Sequence, residues 1–445
     1  MFDPQIETMP QEKLRELQGE RLGRLVRYVA ERVPFYRQAL ADASVDPGSI
    51  ESIDDVGRLP ITRKHHLHDN YPMGLFAVSP EELARVHASS GTTGKPTIVG
   101  YTKNDLALFA EVNARCLAAA GGAPGMLFHN AYGYGLFTGG LGLHGGGERL
   151  GMCVVPVSGG MTDRQITLIM DLEPEMIACT PSYAQALAEE FARRGIEPDD
   201  IPLKYGILGA EPWTESIRAD VQRGLGIQAT NIYGLSEIIG PGVANEAVGE
   251  GEGSYVWEDH FYPEILDPET GDPLPDGQDG VLVITTLTKE ALPLLRFWTG
   301  DITSLTREVG PGGRTHARIG MIRGRTDDML IVRGVNLYPT QIEAALQHVP
   351  EASAHYQLVV KREKTLDEIE LRLELDQATF AGLGITPGDD GALHAEDPVE
   401  RLVREVQHKI RDVVGIGVKV TLLAPGAAPR SAGGKLRRIQ DERKL

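Results

Sequence analysis

The chain has 445 residues, 41% of them hydrophobic, with 63 acidic against 44 basic side chains and a formal charge of −19. That length leaves room for about three folding units, and the hydrophobic share excludes a disordered chain. The negative charge excludes broad binding to nucleic acid or to an anionic membrane, so neither is expected as a partner.

Residues 11–30 set Leu14, Leu17, Leu22, Leu25, Val26 and Val29 among charged positions, the pattern of an amphipathic helix that packs on something. Residues 85–87 and 98–101 flank a hydroxyl- and glycine-rich segment, 89–96. From about 105 to 235, long amphipathic stretches alternate with short apolar runs. A helix opens at Thr162-Asp163-Arg164-Gln165, a capping box, and continues through Ile166, Ile169 and Met170. A second helix places Ile217, Val221 and Leu225 on one face. The runs 153–155, 176–179, 205–208 and 231–233 read as buried parallel strands. Each run from 176 onward ends in small, polar or proline residues: Thr180-Pro181-Ser182, Gly209-Ala210-Glu211-Pro212 and Gly234-Leu235-Ser236-Glu237. Ligands of α/β sheets bind at the carboxyl ends of strands, so these loops are the expected nucleotide site.

Residues 262–288 are rich in Pro, Gly and Asp, with 281–284 as a strand of a separate β-rich part. After Gly324-Arg325-Thr326-Asp327 the character changes. Strands at 328–333, 353–360, 368–375 and 417–423, with helices at 340–348 and 399–414, make a compact α+β unit. The stretch 382–398 reads as a surface loop. The expected fold is therefore α/β: a large N-terminal domain, 1–326, with parallel α/β sheets and a β-rich part, then a small α+β domain, 327–445. Cys116, Cys153 and Cys179 have no metal-ligand spacing and are too few for a disulfide framework. The N-terminus lacks a secretory pattern, and no run approaches the ~20 apolar residues of a membrane helix. A reduced, cytoplasmic location is expected.

The segment Ser89, Ser90, Gly91, Thr92, Thr93, Gly94, Lys95, Pro96 suits polyphosphate, because glycines let the backbone approach phosphate oxygens while amides and hydroxyls donate to them. It is not a Walker A loop, since the spacing differs and no Ser or Thr follows the lysine. Alone, it reads equally well as a polar hairpin turn. Other motifs follow it in one order: Gly209-Ala210-Glu211-Pro212, Tyr233-Gly234-Leu235-Ser236-Glu237, Thr299-Gly300-Asp301, Gly324-Arg325-Thr326-Asp327 and Gly433-Gly434-Lys435. This ordered series resembles the signature of the ANL superfamily of adenylate-forming enzymes. The stretch from His129 to Gly140, Trp257-Glu258-Asp259-His260, Thr288-Lys289-Glu290-Ala291-Leu292-Pro293 and Arg333-Gly334-Val335-Asn336 make it similar to the phenylacetate–CoA ligase family, over nearly all of residues 10–440.

The resemblance implies an ATP-dependent ligase that joins an aryl-acetic acid to coenzyme A through an acyl-adenylate. It implies that Ser89 to Lys95 wrap the β- and γ-phosphates. Gly209, Ala210, Glu211, Pro212, Asn231, Ile232, Tyr233, Gly234 and Ser236 would line the nucleotide, with Ile322 on the adenine. Asp301 would hold the ribose, a role suited to a carboxylate accepting two O–H donors. Arg325 would reach ribose or phosphate, and Glu237 would ligate Mg²⁺. Tyr132, Phe137, Gly209, Ile239 and Pro241 would line the acyl pocket. Lys435 would be catalytic and Asp327 the hinge of a mobile C-terminal domain whose residues near Arg333 and Asn336 meet the pantetheine arm. A homodimer is also implied. Taken singly, Glu211 and Glu237 read as helix caps, Asp301 and Asp327 as turn residues, Arg325 as a surface cation and Phe137 as core. His129 and His260 have no cysteine nearby, with Asn245 and Glu246 in that region, so no structural zinc is expected. Trp298 stands where many relatives have a second arginine. A same-fold enzyme that loads the acid onto a carrier protein is the alternative, and a non-catalytic nucleotide-binding protein is the rival from another class.

Overall fold

In the computed structural model, residues 1–89, 96–211, 213–251, 253–326, 330–332, 335–337, 339–363, 366–393, 397–414, 417–429 and 438–442 are described. Ser90, Gly91, Thr92, Thr93, Gly94, Lys95, Pro212, Asp327, Arg333 and Lys435 lie outside them.

A nine-stranded mixed sheet forms the centre. Its five parallel strands, Cys153–Val155, Leu127–Asn130, Met176–Cys179, Tyr205–Gly209 and Gln228–Leu235, lie side by side in that order. Gly240–Asn245, Ser254–Val256, Arg318–Ile319 and Leu305–Thr306 extend the sheet antiparallel. The central strand Met176–Cys179 is apolar and buried along its whole length because helices cover both faces of the sheet. On one face Tyr183, Leu187 and Phe191 of the helix Pro181–Arg193 meet Ile217, Val221 and Leu225 of the helix Glu215–Leu225. On the other, Phe109, Val112 and Cys116 pack with Leu143, Phe128 and Ile207.

Two expectations need correction. The strand Cys153–Val155 is parallel as expected but not buried: Cys153 is exposed, because this strand is the sheet's outer edge. Nor does the capping box at Thr162 form. The helix Thr162–Leu172 starts from Met161 in the left-handed region (φ 52°) with no side-chain cap. Gln165 is instead drawn into the interior, where it donates to the carbonyls of Ser158 (2.6 Å) and Gly160 (3.0 Å) and meets His129. A buried amide must find partners, and here the tertiary ones win.

The helix Gln11–Arg32 buries Leu14, Leu22, Leu25, Val26 and Val29. Four of these pack with Tyr36, Leu40, Leu287 and Leu295. A second sheet orders Phe261–Leu266, Gly280–Thr286, Phe297–Thr303 and Gly324–Arg325, all antiparallel. Beyond residue 330, a separate core gathers Leu358, Leu371 and Leu373 from the sheet with Ile342, Val406 and Ile410 from the helices Pro339–Leu346 and Asp397–Val414. The helix Gln377–Leu383 was not expected and intrudes on the segment read as loop. Asp376 caps it by accepting from the N–H groups of Ala378 and Thr379. Among the described residues no helix is long and apolar enough to cross a membrane.

Arg296 ties the β-rich part to the N-terminal segment. Its guanidinium makes a buried bidentate pair with Glu264 (3.0 and 2.9 Å) and donates to the carbonyls of Gly57 (3.2 Å) and Leu59 (3.1 Å). Arg296→Leu strands a buried carboxylate and two carbonyls, so urea unfolding should show a loss of about 3–5 kcal/mol. A loss below about 1 kcal/mol, the scale of an exposed pair, would show that the pair does not hold these parts together.

Candidate active site

The loops after the parallel strands are built by backbone crowding. A Cβ on Gly209 would lie 2.2 Å from the Ile232 carbonyl oxygen, so only glycine fits between these strands. Ala210 then turns into the left-handed region (φ 69°). Tyr132, from the loop after Leu127–Asn130, donates its hydroxyl to the Gly209 carbonyl at 3.1 Å. Glu211 accepts from the Ser182 N–H (3.2 Å) and hydroxyl (2.9 Å), so the capping reading of this acid is realised in the first turn of Pro181–Arg193. Asn231 accepts from the Trp213 indole N–H at 3.1 Å, Ile232 is buried, and Ile322 is half-buried against the main core.

At Gly234 the ladder to Gly240–Asn245 slips register, and an added Cβ would sit 1.9 Å from the Gly240 carbonyl oxygen. The tight turn that follows carries Ser236 and Glu237, and the N–H groups of Ile238 and Ile239 both close it onto the Leu235 carbonyl. Glu237 is 7% exposed. Behind it lies Lys289, fully buried, whose ammonium donates to the Glu237 carbonyl (3.3 Å) and rests 4.9 Å from the centre of the Tyr101 ring. Burial pulls this lysine down to about 8, against the pull of Asp105 and Glu237. Tyr101 donates to the Ile239 carbonyl at 2.8 Å. Asp105 accepts from the N–H groups of Glu290 (2.8 Å) and Ala291 (2.9 Å) and so fixes the segment that carries Lys289.

Asp301 and Arg325 face each other across neighbouring strands and form an ion pair at 2.5 Å. Tyr233 donates to the other oxygen of Asp301 at 2.6 Å, and Arg325 also reaches the Thr299 carbonyl at 3.1 Å. Burial and the Asp301 charge hold the Tyr233 phenol far above its usual range, so it stays a donor. A cavity of about 230 Å³ is lined by Glu237, Arg325, Leu235, Thr299, Gly300 and Thr326, and also by Trp298, Arg63, Lys64 and His65. The last three were not singled out in the sequence, although a run of cations and imidazoles from Arg63 to His66 stands out in so acidic a chain.

The other expected positions are placed as follows. Ser89 closes a hairpin through its N–H to the Thr97 carbonyl (3.0 Å), and Arg85–Ala88 pairs antiparallel with Ile98–Tyr101. The hairpin reading is therefore correct for the flanks of the loop, and it leaves the loop's chemistry open. Ile239 is buried and Pro241 half-buried, its carbonyl accepting from Asn113 (2.9 Å). Phe137 is 55% exposed, which overturns its reading as core. His129 is spent on Gln165, and His260 on Thr288 and Asp259.

The chain matches the family model of AMP-binding enzymes over residues 12–287 and that of the AMP-binding enzyme C-terminal domain over residues 334–443. It is 64% identical over 444 residues to the phenylacetate-coenzyme A ligase of Thermus thermophilus, covering 100% of both chains. It is 46% identical to that of Escherichia coli K12, covering 100% of this chain and 98% of the other. Among solved structures, 2-hydroxyisobutyryl-CoA ligase in the postadenylation state with 2-HIB-AMP superposes with a TM-score of 0.89 at 29% identity, over 99% of this chain and 92% of that one. The same enzyme with 2-HIB-AMP and CoA in the thioesterification state superposes with a TM-score of 0.72 at 30% identity over the same shares.

Gly234→Ala forces apart the two strands that carry the Glu237 turn. Urea unfolding should report a loss of about 1–3 kcal/mol, the scale of overpacking. Gly133→Ala, where an added Cβ meets nothing within 4 Å, is the control and should change little. Equal stability of the two variants would refute the crowding at Gly234.

Proposed function

The chain belongs to the AMP-binding enzyme family, in its phenylacetate–CoA ligase branch, and on that premise we propose that its acid is phenylacetate. The reaction is ATP-dependent adenylation of a carboxylic acid, followed by thioester formation with coenzyme A and release of AMP. The observation that carries the substrate is the 64% identity over the whole chain to a phenylacetate-coenzyme A ligase. The relatives' common acceptor, coenzyme A, also favours it over a carrier protein.

In this reading a carboxylate attacks the α-phosphorus of ATP and pyrophosphate leaves. Two anions must meet, so the site has to offset charge where it develops. Asp301 accepts the ribose hydroxyls, a role suited to a carboxylate. Gly209, Ala210, Glu211, Pro212, Asn231, Ile232, Tyr233, Gly234 and Ser236 border the nucleotide, Ile322 packs on adenine, and Ser89 to Lys95 wrap the terminal phosphates. Glu211 acts through its backbone, since its carboxylate is engaged by Ser182. Tyr132, Phe137, Gly209, Ile239 and Pro241 border the acyl group, where aromatic and branched walls suit a flat apolar acid. Glu237 holds Mg²⁺, which supplies charge neutralisation on the phosphates. A lone buried carboxylate lining a cavity fits that ion, because Mg²⁺ takes one or two carboxylates and completes its shell with phosphate and water.

Lys435 stabilises the transition state of the first half-reaction. The unit 327–445 then turns about Asp327 and brings residues near Arg333 and Asn336 to the pantetheine arm. The higher TM-score against the postadenylation structure, 0.89 against 0.72, supports assigning the present arrangement to the first half-reaction. In this arrangement His355 meets Glu189 at 3.2 Å. We place the enzyme in the cytoplasm as a homodimer.

Lys435→Ala should lower acid-dependent ATP–pyrophosphate exchange by about a hundredfold or more, the scale of losing one aimed transition-state donor, while thioester formation from supplied phenylacetyl-adenylate survives. Equal loss of both halves would refute the role. Glu237→Gln should raise the Mg²⁺ needed for half-maximal exchange by about tenfold or more. An unchanged requirement would remove Glu237 from the metal site.

A further inference from the structure

The cavity shared by Glu237 and Arg325 has a second wall that the reaction scheme does not use: Arg63, Lys64 and His65. The chain holds this wall firmly. Thr62, buried just before it, donates its N–H to the Arg296 carbonyl (3.1 Å) and its hydroxyl to the Leu295 carbonyl (2.6 Å), and accepts from the Trp298 N–H (2.8 Å). The Arg63 guanidinium then stacks over the Trp298 ring, 4.1 Å from its centre. A planar cation on an aromatic face is held in place while its N–H edge stays available.

The charges of this wall are not spent elsewhere. Arg58 pairs with Asp55, Arg296 with Glu264 and Arg325 with Asp301. Among the described residues, Arg63 and Lys64 make no such pair, although the chain carries 63 acidic side chains against 44 basic ones. Two unspent cations and an imidazole lining one cavity suit an anion of multiple charge. At about 230 Å³ the cavity is smaller than the ~300–1,000 Å³ that encloses a whole ligand. That volume suits one end of a longer molecule, with Arg325 in the same lining and Asp301 paired to it.

We infer that Arg63, Lys64 and His65 form a seat for a diphosphate group: the terminal phosphates of ATP and, after adenylation, the pyrophosphate that leaves. Arg63 offers a fixed fork for two phosphate oxygens, and Lys64 a mobile point charge. The inference rests on the adenylation reading above. Coenzyme A also carries a diphosphate, so the test separates the two sources.

Arg63→Ala and Lys64→Ala, in the full-length protein, are measured in acid-dependent ATP–pyrophosphate exchange with ATP and pyrophosphate varied in turn. Thioester formation from supplied phenylacetyl-adenylate is followed separately with CoA varied. Both variants should raise the KM for ATP and for pyrophosphate about tenfold, with the KM for phenylacetate and for CoA within about twofold of the parent and Lys64→Arg recovering most of the loss. Unchanged ATP and pyrophosphate constants would overturn the seat, and so would a defect confined to CoA. If the unmodified protein shows no exchange, the adenylation reading fails first. Calorimetric titration of pyrophosphate alone then decides: weaker binding to Lys64→Ala than to the parent upholds the seat, and equal binding overturns it.

Discussion

The structure depends on one electrostatic constraint: a protein of charge −19 must keep acidic groups at its site from repelling the anions it uses. Glu237 and Asp301 are both nearly buried, where opposite charges attract far more strongly than in water. Each is matched by a cation placed with little freedom. Arg325 is set opposite Asp301 by strand register, and Lys289 is set beneath the Glu237 turn by Asp105 and the Tyr101 ring. The lysine is fully buried, and burial lowers its pKa against the pull of Asp105 and Glu237.

Backbone crowding does the rest of the positioning. Gly209 and Gly234 lie where neighbouring strands leave no room for a side chain, and each is followed by a sharp turn at the sheet's carboxyl end. Those turns bring residues 138 and 77 positions apart into contact. Tyr101 meets the turn after Gly234, and Tyr132 meets Gly209. The second sheet supplies Asp301, Trp298 and Arg325, and the N-terminal segment tied to it through Arg296 and Thr62 supplies the cationic wall of the cavity. Three remote stretches of sequence thus converge on one cleft.

Short apolar runs told most of the fold. The all-apolar run Met176–Cys179 has only one comfortable place, the middle of a parallel sheet, and it is found there. Where a residue had two possible partners, local pattern misled. Thr162 and Gln165 have the spacing of a capping box, yet the interior claims Gln165. Cys153 reads as buried, but an edge strand has a neighbour on one side only. Glu211 was recognised both as a cap and as a site residue, and its carboxylate serves as the cap. Asp301 was legible through its motif, whereas Tyr233 as its hydrogen-bond donor was not, because that contact joins residues 68 positions apart. The segment from Arg63 to His65 carried a visible basic signal, but nothing local tied it to Glu237.

The most direct test is a crystal structure of the protein with a non-hydrolysable phenylacetyl-adenylate analogue. The account predicts ribose hydroxyls within hydrogen-bonding distance of Asp301, the phenyl ring beside Tyr132 and Ile239, and the phosphate facing the Glu237 cavity. A nucleotide bound away from Asp301, with the cavity beside Glu237 and Arg325 facing none of its phosphate, would contradict it.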